Sequence, residues 1–217
     1  MSYRAVLWDF GGVLTTSPFE AFNRYEAAHG LPRDFIRGVN TVNHEDNAWA
    51  RFESSRISES EFDQAFLAET TAAGHPLRGC EVLPLLGGDV RPRMVEVLKR
   101  VKQDYQVVCL TNNVKSGHGP GMADSSARAE AVAAVMALFD QVIESSKEGL
   151  RKPDPRIYRL ACERMAVAPA AVVYLDDLGI NLKPARELGM TTIKVLSETQ
   201  AIADLGAALG IDLCVSE

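Results

Sequence analysis

The stretch Tyr3-Arg4-Ala5-Val6-Leu7-Trp8-Asp9-Phe10-Gly11-Gly12-Val13-Leu14 decides the reading of the chain. Its first half is a mostly apolar run of strand formers, the composition of a strand buried on both faces in a parallel sheet. The run stops at Asp9. A carboxylate at the mouth of a buried strand is costly unless it is exposed at a site, paired, or bound to a cation. Gly11 and Gly12 follow at once and let the backbone turn tightly and approach a ligand. Taken alone, the stretch reads equally as an ordinary strand-end Asp capping a turn.

The rest of the chain supplies the context. From Arg91 onward, strands and helices alternate. Gln106–Leu110 reads as a second buried strand ending at Thr111-Asn112-Asn113. Phe139–Ser145 reads as a third, Ala171–Leu175 as a fourth ending at Asp176-Asp177, and Thr191–Leu196 as a fifth. Between them lie helical patterns from about Ser125 to Leu138, from Pro155 through Met165, and from Asn181 to Leu188, where Gly189 gives a C-terminal stop. A last helix covers Thr199–Leu209. This alternation predicts parallel βαβ units and an α/β fold, a doubly wound parallel sheet of Rossmann-like type.

Residues 16–88 follow a different pattern. Ser17 reads as an N-cap and Pro18 as the first helical residue. Phe19, Phe22, Tyr25 and Ala28 recur at helical spacing, and Pro32 opens a second helix with Phe35 and Ile36. Trp49 and Phe52 mark a third. Ser58 and Glu61 form a capping box ahead of Phe62, Phe66 and Leu67, and Gly74 closes that helix. The expected organisation is a hydrolase core of residues 1–15 and 89–217 with an inserted helical cap subdomain, residues 16–88.

Composition narrows the function. The 217 residues are 47% hydrophobic and 24% charged, with a formal net charge of −6. No run of Lys and Arg stands out to neutralise phosphates, so no nucleic-acid partner is expected. The apolar stretch Ala131–Phe139 is too short to span a membrane. Asp9 interrupts the apolar N-terminus, which is not expected to be a signal peptide. Cys80, Cys109, Cys162 and Cys214 are far apart and lack zinc spacing, so three are expected as buried thiols, with no disulfide and a cytoplasmic setting. A monomer or a homodimer is equally compatible with the chain.

In doubly wound sheets, ligands bind at the carboxyl ends of the strands, near the switch point. That rule gathers Asp9, Thr111, Asn112, Asp176 and Asp177, with Lys152 from the loop after the third strand. Each has an ordinary reading as a cap, a turn or a solvated charge. Together they place three acids, a hydroxyl, an amide and an ammonium on one edge. Three neighbouring carboxylates repel unless a cation joins them, and hard oxygen ligands beside a phosphate suit magnesium, Mg2+. Lys152 and the Thr111 hydroxyl are then placed for phosphate oxygens, and Asp9 for attack on phosphorus.

These segments resemble the haloacid dehalogenase-like (HAD) superfamily, chiefly its phosphatases with a helical cap after the first motif. They are similar to the N-terminal phosphatase domain of soluble epoxide hydrolases. The resemblance covers nearly the whole chain and is strongest at Leu110-Thr111-Asn112, at Arg151–Tyr158 and at Tyr174–Arg186. It implies that Asp9 is the nucleophile, with Lys152 in the catalytic set. It implies that Asp9, the backbone carbonyl of Gly11 and Asp177 hold Mg2+, with Asp176 and Asn181 in support. Thr111, Asn112 and Lys152 would hold phosphate, and the substrate would be a small phosphorylated molecule.

Gly11 departs from the pattern, because such phosphatases carry a second Asp there as acid and base. The chain is therefore expected to turn over slowly. Two alternatives follow: a phosphate-binding protein with little catalysis, or a metal-free haloacid dehalogenase-type hydrolase. Dehalogenases of the superfamily have Tyr at the Gly11 position and little use for the pair Asp176-Asp177. His44 and His118 are further proton donors by type, each expected at the surface. Asp9-Phe10-Gly11 matches a kinase tripeptide, but no glycine-rich loop or catalytic-loop motif precedes it.

Overall fold

The computed structural model describes residues 2–114 and 126–213. His118 and Cys214 lie outside the described residues. The strands are β1 (Ala5–Trp8), β2 (Gln106–Thr111), β3 (Gln141–Glu144), β4 (Val172–Asp176) and β5 (Thr191–Lys194). They form one parallel sheet in the order β3-β2-β1-β4-β5. The chain builds outward from β1 through β2 to β3, then crosses back to β4. The switch point therefore lies between β1 and β4. Trp8 pairs with Cys109 on one side and with Leu175 on the other. The next residues along these strands, Asp9 and Asp176, thus emerge at the same level beside the switch.

Side chains alternate between the two faces of a strand. Val6, Trp8, Val107, Cys109, Val173 and Leu175 accordingly pack in one cluster with Val97, Leu98 and Leu205. Val97 and Leu98 come from α6 (Pro92–Val101), and Leu205 from the C-terminal helix Glu198–Leu209. Ala5, Leu7, Val108, Leu110, Val172 and Tyr174 pack on the opposite face with Ile157, Tyr158, Leu182 and Ala185. With both faces covered, the central strand β1 is apolar and buried along its whole length, as its composition requires. The five strands and their helices follow the sequence pattern, with ends shifted by a few residues. Among the described cysteines none is in a disulfide; Cys109 and Cys162 are buried and Cys80 is exposed.

Between β1 and α6 lie five helices: α1 (Pro18–Ala28), α2 (Phe35–Thr41), α3 (Ala48–Glu53), α4 (Glu59–Ala72) and α5 (Gly79–Val82). They enclose their own cluster, including Phe22, Ile36, Phe52, Phe62 and Phe66, to which the β2 loop adds Val114. The entry and exit segments run side by side. Thr16 N–H donates to Asp89 O at 2.8 Å and Arg91 N–H to Leu14 O at 2.8 Å. Gly88 makes this possible, because a Cβ there would stand 2.4 Å from Thr16 O.

One helix start lacks its expected cap bond, and another differs from the sequence reading. Ser17 occupies the N-cap position of α1, but its side chain makes no cap hydrogen bond. The second helix begins at Phe35 and not at Pro32, because Asp34 adopts a left-handed conformation with φ 60°. The Glu26 carboxylate, 1% exposed, accepts the N–H groups of Asp34 at 2.8 Å and Ile36 at 2.9 Å. A residue eight positions upstream thus sets where α2 starts. Ser58 and Glu61 do form the expected capping box of α4.

Glu26→Ala would leave buried donors unsatisfied at the start of α2 and should lower stability by about 2–4 kcal/mol. Glu26→Gln keeps one acceptor and should cost less. Urea unfolding of both variants checks the order.

Candidate active site

Asp9 leaves the end of β1 with its N–H donated to Leu175 O at 2.9 Å. Its Oδ1 accepts the Phe10 N–H at 2.7 Å and the Lys152 ammonium at 2.8 Å. Among the described residues no hydrogen-bond donor reaches its Oδ2. Lys152 is 1% exposed and also donates to Asp176 Oδ2 at 2.8 Å. An ammonium so deeply buried requires such pairing. Burial works against its charge, but Asp176 and Asp9 outweigh it and raise the ammonium pKa.

Asp176 is fully buried, and its oxygens are crowded with donors. Oδ1 accepts the Leu178 N–H at 2.8 Å and Asn181 Nδ2 at 3.1 Å. Oδ2 accepts the Tyr174 hydroxyl and Asn181 Nδ2, in addition to Lys152. Burial and the neighbouring Asp176 raise the Tyr174 pKa, so this hydroxyl remains a donor. Tyr158 in turn donates to Asn181 O at 2.7 Å. The sequence reading missed both tyrosines. Tyr174 was legible in principle, since residue i−2 of a strand shares a face with Asp176 and a buried Tyr hydroxyl needs a partner.

Asp177 follows on the loop into the helix Gly179–Glu187. Its Oδ2 accepts the Ser17 hydroxyl at 3.3 Å. It also lies against the bare Cα of Gly12, where a Cβ would stand 2.2 Å away. Gly12 has φ +75°, a conformation that glycine adopts without strain. Gly11 is different, because a Cβ there would meet nothing nearer than Pro18 Cδ at 3.9 Å.

Ligand oxygens of Asp9, Asp176 and Asp177 lie within 4.8 Å of one another. Burial, with Asp176 and Asp177 beside it, raises the Asp9 pKa well above the usual carboxylate range, against the pull of Lys152. Burial and Asp176 push Asp177 up to about 6. The rim thus holds three acids against one ammonium, a charge balance that suits a divalent cation.

Thr111 ends β2 buried at this rim, its hydroxyl donating to Asn112 O at 3.4 Å. The Asn112 side chain bonds to protein groups at this rim. Its amide clamps the Lys152 main chain, accepting that N–H at 2.8 Å and donating to that carbonyl at 2.9 Å. It also reaches Glu53 Oε2, at 3.5 Å. Glu53 ends α3 and pairs with Arg151 at 2.6 Å. The inserted helical unit therefore contacts the two loops that carry Asn112 and Lys152. His44 is exposed and meets Arg151 only through its carbonyl.

The chain belongs to the haloacid dehalogenase-like hydrolase family, whose model matches residues 3–189. It is 33% identical to mouse acyl-CoA dehydrogenase family member 10, over 98% of this chain and 20% of that protein. It is 30% identical to pig bifunctional epoxide hydrolase 2, over 98% of this chain and 40% of that protein. The chain thus spans a fifth to two fifths of the length of these relatives. A HAD family enzyme from Bacteroides thetaiotaomicron, solved in complex with magnesium and inorganic phosphate, shares the fold. Its TM-score is 0.60 at 19% identity, covering 91% of this chain and 96% of that one. No helix among the described residues is long and apolar enough to cross a membrane.

Gly12→Ala should displace the Asp177 carboxylate and, through its left-handed backbone alone, cost about 1–2 kcal/mol. Adding Asp177→Ala removes the clash, so the pair should be less destabilised than the sum of the singles. A double-mutant cycle by chemical denaturation measures that difference.

Proposed function

We propose that the chain is a Mg2+-dependent phosphatase acting on a small organic phosphate monoester, with residues 1–15 and 89–217 as its core and 16–88 as its cap. One observation carries this reading: Asp9 is pinned through Oδ1 by Lys152, while among the described residues no donor reaches its Oδ2, and its carboxylate is grouped with that of Asp177. A carboxylate held at one oxygen and open at the other is suited to in-line attack. The magnesium and phosphate in the Bacteroides enzyme support the reading.

The donor set fits Mg2+. It consists of hard oxygens from Asp9, Asp177 and the Gly11 carbonyl, with two of the carboxylates destabilised as anions by burial and mutual repulsion. When bound, the ion offsets the negative charge of the phosphoryl group and of Asp9. Asp176 is left out of that ligand set, because its oxygens are occupied by Lys152, Tyr174, Asn181 and the Leu178 N–H. Its role is to hold Lys152.

Lys152 has three N–H donors, of which Asp9 and Asp176 take two. The third is available to a phosphoryl oxygen, beside the Thr111 hydroxyl. The Asn112 side chain contributes indirectly, by fixing the Lys152 main chain. Asp9 Oδ2 attacks phosphorus, the bond to the leaving oxygen breaks, and an aspartyl-phosphate forms. Water then attacks that phosphorus, releasing inorganic phosphate and restoring the Asp9 carboxylate. Both steps favour a residue that exchanges protons at the leaving oxygen and the water, and Gly11 supplies none.

An aryl phosphate with a good leaving group should therefore be hydrolysed only with Mg2+, and Asp9→Asn should abolish turnover. Halide release in chelator would indicate attack on carbon instead. Thermal stabilisation by phosphate without turnover would indicate a binding protein. A Cβ at Gly11 would meet nothing nearer than Pro18 Cδ at 3.9 Å. Gly11→Asp should raise turnover of alkyl phosphates more than that of aryl phosphates, by up to the ~10²–10⁴ typical of general acid–base help. Equal gains on both would count against a missing proton donor.

The raised carboxyls also set a pH dependence. A carboxyl whose pKa is raised by folding adds stability that is complete below its unfolded value and lost as pH rises through its folded one. For Asp177 that window runs from 3.8 to about 6, and Asp9 acts in the same direction. Mg2+ should accordingly raise the Tm more at pH 7.5 than at pH 5, as scanning fluorimetry at both values would show.

A further inference from the structure

Ser17 stands where an N-cap residue stands, with extended backbone at φ −72° and ψ 136°. From that position a Ser hydroxyl ordinarily accepts an N–H two or three residues ahead. Here it makes no such bond and donates instead to Asp177 Oδ2, at 3.3 Å. Pro18, which has no N–H, leaves the helix end with one donor fewer to satisfy. Gly12 bounds the same oxygen on another side, with its missing Cβ. The Asp177 carboxylate is thus held between a glycine of the β1 loop and a hydroxyl from the first residues of the cap.

We propose that Ser17 is a positioning residue for Asp177, orienting its carboxylate towards the divalent cation and linking the start of the cap to the cation site. The inference rests on the cation reading above. Hydrogen-bond partners of ligand carboxylates fix ligand orientation, and their loss typically weakens metal affinity by about 10–100-fold. The Ser17 contact is one neutral hydroxyl at 3.3 Å, so the lower end of that range applies.

The test is Mg2+ titration of thermal stability in the full chain, which needs no turnover. In chelator, Ser17→Ala should melt with the unaltered protein, because the hydroxyl caps nothing. Its Mg2+ midpoint should rise about 10-fold, and Ser17→Thr, which keeps the hydroxyl, should restore it. An unchanged or lower midpoint in Ser17→Ala overturns the proposal, as does a fall in the chelator Tm with no change of midpoint. If the unaltered protein shows no response to Mg2+, the cation reading falls and this inference with it. A response in the unaltered protein with an equal midpoint in Ser17→Ala removes Ser17 alone.

Discussion

The Lys152 ammonium, sealed from solvent and shared by Asp9 and Asp176, is the contact on which the rest of the rim depends. A buried ammonium persists only where its partners are fixed, and here each partner is fixed by a different part of the fold. Asp9 is set by the β1–β4 pairing through its own N–H. Asp176 is set by Tyr174 on the same strand face and by Asn181 and Leu178 at the start of the helix Gly179–Glu187. Lys152 itself is held by its main chain, through the Asn112 amide at the end of β2. Four segments far apart in the chain thus converge on one charge. With Asp176 committed to it, the remaining excess of negative charge falls on Asp9 and Asp177.

The adjacent glycines show how finely the site distinguishes its positions. Gly12 is required twice, by its left-handed backbone and by the Asp177 oxygen pressed against it. Gly11 is required by neither, since a Cβ there would meet nothing nearer than 3.9 Å. The glycine at residue 11 therefore does not follow from crowding at its Cα. The absence of an acid at residue 11 thus belongs to the chemistry of this chain and not to crowding at the Gly11 Cα.

The inserted helices have a core of their own, yet they meet the sheet domain at chemically specific points. Ser17 meets Asp177 at the entry, and Glu53 meets Arg151 and Asn112 at the end of α3. Between them the linkers pair closely enough that Gly88 cannot carry a Cβ. The helical unit is thus tied by polar contacts to the loops after β2, β3 and β4, the loops that carry Asn112, Lys152 and Asp177.

The alternation of strands and helices, the two-sided burial of β1 and the strand-end placement of Asp9, Thr111 and Asp176 could be read from the sequence, because they follow from local periodicity and from where apolar runs stop. The Ser58–Glu61 capping box could be read for the same reason, since its bonds span three residues. The start of α2 at Phe35 could not, because a buried Glu26 decides it through space. The use of the Ser17 hydroxyl on Asp177, of the Asn112 amide on the Lys152 main chain and of Tyr174 on Asp176 was likewise decided only in the tertiary structure. Propensity reports what a residue does with its chain neighbours; which polar groups share a buried volume depends on how the strands and helices pack.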